Sequence, residues 1–226
     1  MSIKILALDT ATEACSAALL IGDELLERYQ VAPREHTQLL MPMVDSLMDE
    51  AGLDMQDLDA IAFGRGPGSF TGLRIATGVT QGLALGAELP VLPVSDLAAL
   101  ALQAHRQLGW EELLVCQDAR LKEFFIGAFR IGAEGPEETL SEALVDASEL
   151  AVLAKGFSHG VGSGWTTPGG KQAMPEGLVF DSSVYLPRAA DIARLGKLAF
   201  ARGQSVPVEQ ALPVYLRDQV AKKPGQ

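Results

Sequence analysis

Cysteine, histidine and positive charge are all scarce in this sequence, and each shortage removes a class of function. The two cysteines, Cys15 and Cys116, lie in separate apolar runs with neither a CxxC pair nor a histidine at ligand spacing. They read as buried free thiols in a reducing compartment, not as a disulfide or metal framework. The three histidines, His36, His105 and His159, fall in unrelated segments. There is no His-Glu-x-x-His or other paired ligand spacing, so no catalytic metal is expected. Basic residues number 18 against 29 acidic ones, a net charge of −11. Such a surface does not hold a phosphate backbone unaided, although a partner that brings its own nucleic-acid surface is easily accommodated. No apolar run approaches the ~20 residues that span a bilayer, and the run ending at Leu8 is too short for a signal peptide. A cytoplasmic protein with no membrane association and no bound cofactor is expected.

What is present is organised around Gly64-Arg65-Gly66-Pro67-Gly68-Ser69-Phe70-Thr71-Gly72-Leu73-Arg74. The apolar run Ala60–Phe63 precedes it and a longer one, Leu73–Leu85, follows, which reads as strand, glycine-rich turn and helix N-terminus. Ser69 or Thr71 can cap that helix, and exposed amides at such a start attract an anion or accept another chain's carbonyls. A plain tight connection with no ligand is equally compatible with the spacing. No lysine follows the loop, so the phosphate-loop signature is absent, and the dinucleotide fingerprint fails at its third glycine. Ser69 also lacks the G-x-S-x-G frame of a hydrolase nucleophile. No catalytic set emerges.

In chain order, Ile3–Leu8, Cys15–Ile21 and Leu25–Val31 are three apolar runs joined by turns, a β-meander opening a mixed sheet. Asp9, just past the first run, is placed either to meet a ligand or to bond the amides of Ala11 or Thr12. Leu39, Leu40, Met43, Val44, Leu47, Met48 and Ala51 form a helical stripe within Glu35–Ala51. Pro42 is expected to kink this helix or shift its start to about residue 39, and Gly52 to stop it. Gly78, Gly82 and Gly86 recur at i+4 on the next helix. At about 1 kcal/mol per interior glycine, roughly 3 kcal/mol is lost, which argues for a groove that admits another helix. A neighbour from the same chain is the default occupant. Leu89–Val94 reads as another strand, which Pro90 and Pro93 limit to a start or edge position, and Ser95-Asp96 as the cap of a helix that Gly109 ends. Beyond a boundary near 105–112 lie strands at Leu113–Gln117 and Glu123–Ile131, a loop at Gly132–Pro136, and extended chain near Thr139–Leu144. A short helix at Asp146–Leu153 follows, then irregular loops over 156–177 with one short strand at Gly160–Ser163, and a helix at Asp191–Arg202. The end, Lys222-Lys223-Pro224, reads as frayed.

The segments Ile5–Ser16, Pro33-Arg34-Glu35-His36-Thr37-Gln38 and Phe63–Gly72 closely resemble the TsaB (YeaZ) family, which is related to TsaD. So do Gln81–Ala87, Asp118-Ala119-Arg120 and Tyr215-Leu216-Arg217. The match covers most of residues 1–96 and thins afterwards. It departs at Leu121-Lys122-Glu123-Phe124-Phe125, where the family more usually has Met-Gly-Glu-Val-Tyr. The resemblance implies a two-lobed, actin-like and Hsp70-like α/β fold of the ASKHA type, with an N-terminal lobe over 1–108 and a more divergent C-terminal lobe over 109–226. It implies a non-catalytic subunit in formation of N6-threonylcarbamoyladenosine on tRNA, with the catalytic paralogue TsaD and the ATPase TsaE as partners, a homodimer as an alternative assembly, and tRNA met mainly through the complex. The implied partner surface is the first two helices: Leu40, Met43, Val44 and Leu47, then Arg74, Gly78, Gly82 and Gly86. That turns the expected use of the glycine row from an internal neighbour to an external one. Asp9, Thr10, Thr12, Gly66, Gly68, Ser69 and Thr71 are the candidate anion- or nucleotide-binding residues. The alternative function is an ASKHA-fold ATPase or phosphotransferase working through Asp9 and the Gly64–Gly72 loop.

Overall fold

The computed structural model describes residues 2–217, which form two five-stranded mixed sheets with helices between and outside them. In the first sheet β1 (Lys4–Asp9), β2 (Ala14–Ile21) and β3 (Glu24–Val31) are an antiparallel meander. β4 (Ala60–Gly64) and β5 (Val91–Val94) continue from β1 in parallel, giving the order β3-β2-β1-β4-β5. The second sheet holds β6 (Glu112–Asp118), β7 (Glu123–Gly132), β8 (Gly135–Asp146), β9 (His159–Val161) and β10 (Val179–Phe180), in the order β10-β9-β6-β7-β8. The helices are α1 (His36–Ala51), α2 (Phe70–Ala87), α3 (Asp96–Leu108), α4 (Ala147–Leu153), α5 (Pro168–Ala173) and α6 (Ala189–Ala201).

The central strands are apolar throughout because both faces are covered. In β1, Leu6 and Leu8 meet Leu40, Val44 and Leu47 of α1 on one face, while Ile5 and Ala7 meet Ile192 and Ala193 of α6 on the other. In β6, Leu113 and Val115 face Leu97, Leu100 and Ala104 of α3, while Leu114 and Cys116 join Leu150 of α4 and Ala173 of α5. The layers are thus α1 and α2, first sheet, α6 and α3, second sheet, α4 and α5. The strands divide near residue 108, but α6 returns to the first sheet. Its Gly196 lies so close that a Cβ there would be 2.9 Å from Ala62 Cβ.

Several elements differ from the sequence reading. α1 begins at His36 and runs through Pro42, so its start is not displaced to residue 39. The amides of Gln38 and Leu39 already close the first turn on the Glu35 carbonyl, and Pro42 removes only its own bond. Gly132–Pro136 is no loop: β7 and β8 pair up to Gly132 and Gly135 across a two-residue turn. β8 is longer than expected because its side chains are only partly buried and its register shifts near Ile126 to Phe129, which erases a period-2 pattern. Within 156–177 the structure adds α5, whose start is marked by Thr167 accepting from the Gly170 amide and by Pro168 in its first turn. Both cysteines are buried and unpaired, as expected, and burial pushes the Cys15 thiol up to about 12. Lys222-Lys223-Pro224 lies outside the described residues.

Candidate functional site

Three parallel strands, β1, β4 and β5, end side by side, and the residues at their C-terminal ends build the base of the site. Asp9 closes β1, Gly64 closes β4, and Asp96 follows β5 as the first residue of α3. Both carboxyl groups are buried, and they come together beside Gly64, where a Cβ would lie 2.5 Å from Asp96 Oδ1 and 3.0 Å from Asp9 Oδ1. Asp9 Oδ1 accepts the Ala11 amide at 2.7 Å and Asp96 Oδ2 accepts the Gly66 amide at 2.6 Å. Burial raises both groups above the ordinary carboxylate range, Asp96 further, with the neighbouring Asp9 charge the next cause.

The glycine loop is bound into this framework through its own amides. The Arg65 amide donates to the Val94 carbonyl, Gly66 to Asp96, Ser69 to the Ala11 carbonyl, and Gly72 to Ser69 Oγ, the cap of α2. Thr10 is buried, and its hydroxyl donates to the Gly72 carbonyl at 2.7 Å. These contacts narrow what the loop can offer an anion, one of the two uses that its spacing left open. The Gly66 and Ser69 amides and the Thr10 hydroxyl already have protein partners, and Asp9 turns inward to Ala11. The amides of Gly68, Phe70 and Thr71 have no acceptor among the described residues.

Above the loop a cleft of about 660 Å³ opens between the two sheets. Thr12, Gly68 and Ser69 line it from the first half, Asp118, Arg120 and Ser163 from the second, and Asp9 and Thr10 do not reach it. Arg120 crosses the cleft, pairing with Glu13 at 3.1 Å and with Asp118. The last described residues strap the mouth. Val214 donates to the Arg65 carbonyl at 2.7 Å, and Arg217 reaches Glu123 and the Ala119 carbonyl. The spacing of the sequence placed Asp96 in a helix cap but announced neither its meeting with Asp9 nor this strap. The available signal was that Asp96 follows an apolar strand run, Leu89–Val94, as Asp9 follows the first.

The outer face of α2 has no neighbour among the described residues. A Cβ built on Gly78, Gly82 or Gly86 meets no atom within 4 Å, so the default of an intramolecular helix in this groove is overturned. Leu85, 68% exposed, lies on the same face. Arg74 is exposed at its N-terminal end, stacked over the Phe70 ring at 4.0 Å and donating to Tyr215 Oη at 3.3 Å. α1 contributes differently from expectation. Leu40, Val44 and Leu47 are buried in the chain's own core, which is where an amphipathic stripe belongs, and Met43 is half-buried. A surface on α1 is therefore limited to Met43 and its more exposed neighbours. Among the described residues no group of three acidic, histidine or cysteine side chains is placed to hold a metal ion, and no helix is long and apolar enough to cross a membrane.

The family model for TsaD, tRNA N6-adenosine threonylcarbamoyltransferase, matches residues 28–161. The tRNA threonylcarbamoyladenosine biosynthesis protein TsaB of Escherichia coli K12 is 42% identical, over 99% of both chains. TsaB of Haemophilus influenzae is 34% identical over 100% of this chain and 99% of its own. The solved structure of YeaZ from Pseudomonas aeruginosa superposes with a TM-score of 0.88 at 48% identity, covering 95% of this chain and all of that one. The two mixed sheets with flanking helices are thus the ASKHA-like fold of these proteins.

Proposed function

The chain belongs to the TsaB family of tRNA threonylcarbamoyladenosine biosynthesis proteins, and from that premise we propose that it is the non-catalytic subunit that binds and activates TsaD, together with the ATPase TsaE. The docking surface in this reading is the outer face of α2, with Arg74, Gly78, Gly82 and Gly86, flanked by the more exposed residues of α1. The same face would serve a homodimer when TsaD is absent. tRNA is met through the complex, since a net charge of −11 disfavours a phosphate backbone on this chain.

One observation carries this reading: three glycines on an 18-residue helix with open space where each side chain would be. Interior glycines destabilise the helix by about 1 kcal/mol each relative to alanine, and no internal contact returns that cost. A bare helix ridge is what lets another helix approach closely. The alternative of an ATPase or phosphotransferase working through Asp9 is disfavoured by geometry, because Asp9 is buried behind the loop and does not line the cleft.

The test is Gly82→Leu. The new side chain points into open space, so circular dichroism and the unfolding midpoint of the isolated chain should be unchanged or slightly improved. Calorimetric binding to TsaD should be lost, and with it modification of tRNA in a mixture of this chain, TsaD, TsaE, ATP and threonylcarbamoyl-adenylate. A folded variant that binds TsaD with native affinity refutes the docking surface.

A further inference from the structure

We propose that Asp9 and Asp96 share a single proton at neutral pH, and that this acid–carboxylate pair positions the glycine loop from which α2 springs. The inference concerns the chain's own architecture and holds whatever binds to α2. Both side chains are buried, at 0% and 1% exposure, with Asp96 at the floor of the cleft, where two adjacent negative charges are strongly disfavoured. Each has one oxygen held by a backbone amide. The other oxygens, Asp9 Oδ2 and Asp96 Oδ1, are buried with no hydrogen-bond partner among the described residues. A proton between the two carboxyl groups satisfies both at once. Each acid accepts one backbone amide, Asp9 from Ala11 and Asp96 from Gly66, and Asp96 also has the Glu142 charge nearby, so the proton belongs to the pair.

The groups facing the pair come from every surrounding element: His36 from α1, Cys15 from β2, Tyr29 from β3, Glu142 from β8, and Arg65 of the loop, which pairs with Glu142 at 3.3 Å. The pair also accounts for Gly64. A Cβ there would lie 2.5 Å from Asp96 Oδ1 and 3.0 Å from Asp9 Oδ1, so only glycine lets the end of β4 run between the two acids. Through the Gly66 amide, Asp96 then sets the path of the chain into Ser69 and α2.

The sign of the pH effect follows from linkage. The folded chain retains a proton that an unfolded aspartate releases near pH 4, so folding stability falls as pH rises from there until the pair itself ionises. Asp96→Asn imitates the protonated acid, since its amide oxygen can accept from Gly66 and its amide nitrogen can donate to Asp9. Urea unfolding of the full chain from pH 5 to 7 should show the native folding equilibrium constant falling about tenfold more per pH unit than that of the variant. Infrared spectra at pH 7 should show one fewer protonated-carboxyl band in Asp96→Asn. Asp9→Asn, which also leaves one charge in the pair, should lose the same band and the same slope. The Gly66 amide should exchange slowly in the native chain and in Asp96→Asn, but faster in Asp96→Ala. Parallel stability curves, or a native spectrum with no protonated carboxyl at pH 7, overturn the shared proton. Equal Gly66 protection in Asp96→Ala overturns the positioning role.

Discussion

Two sets of glycines adjoin in this chain and differ in what surrounds the missing side chain. In the loop, a Cβ at Gly64 would collide with Asp96, at Gly68 with the Ala11 carbonyl at 2.5 Å, and at Gly72 with the Thr10 carbonyl at 1.9 Å. On the helix that follows, Gly78, Gly82 and Gly86 have nothing within 4 Å. The first set is explained by the chain itself, because backbone packs on backbone where β1, β4 and α2 converge. The second set is not, and an unexplained helical cost is the physical reason for assigning α2 an external contact. Glycine in the same stretch of sequence therefore means two different things, and only the space around it tells them apart.

The largest effect should come from the loop. Gly72→Ala places a methyl group inside the van der Waals radius of a carbonyl that cannot move without shifting the end of β1, and it disturbs the bond from Thr10 to the Gly72 carbonyl. Overpacking typically costs about 1–3 kcal/mol, and a clash against backbone belongs at the upper end. The urea midpoint should fall steeply or the chain fail to accumulate, and a variant of native stability would break the distinction between the two sets.

The reverse is expected on the helix. Gly78→Ala and Gly82→Ala, combined, should raise the stability of the isolated chain by about 2 kcal/mol, each adding roughly 1 kcal/mol of helix propensity. Gly86, one residue from the end of α2, should add less. Destabilisation by either alanine would mean that an internal contact occupies the ridge after all. Stabilisation accompanied by weaker TsaD binding would sharpen the contrast, since the same methyl group would then help the monomer and hinder the complex.

The first sheet and its helices were legible in the sequence because strands buried on both faces are unbroken apolar runs, and caps such as Ser95 and Gly109 stand at the ends of regular stripes. The second half was less legible. Its edge strand β8 is half-exposed and bulged, and α5 is six residues long, too short for a periodic signal. At the site, the glycine loop was visible as a feature, but its spacing could not say that the fold gives the Ser69 and Gly66 amides to Ala11 and Asp96. Those partners are far away in sequence, and local spacing carries no information about them. Leu40, Val44 and Leu47 show the same limit: an apolar stripe announces a buried face without saying whether its own sheet or another chain buries it.

A third place completes the contrast between glycines that the chain requires and those that it does not, for here the backbone calls for glycine and the sequence withholds it. Arg120, Leu121 and Lys122 have φ values of 64°, 54° and 66°, three successive residues in the left-handed region. Each costs an ordinary L-residue roughly 1–2 kcal/mol. Lys122 is exposed and makes no side-chain hydrogen bond or ion pair among the described residues. Lys122→Gly removes the steric cost while adding about 0.5–1 kcal/mol of unfolded-chain entropy. The net expectation is a gain of about 0.5–1 kcal/mol, read as a small rise in the urea midpoint with no change in its slope. A loss would show that the lysine side chain holds the turn in a way that its exposure does not suggest. A gain would mean that strain is retained at the rim of the cleft, beside the Arg120 bridge to Glu13, where it keeps Leu121 turned outward with 78% of its surface exposed.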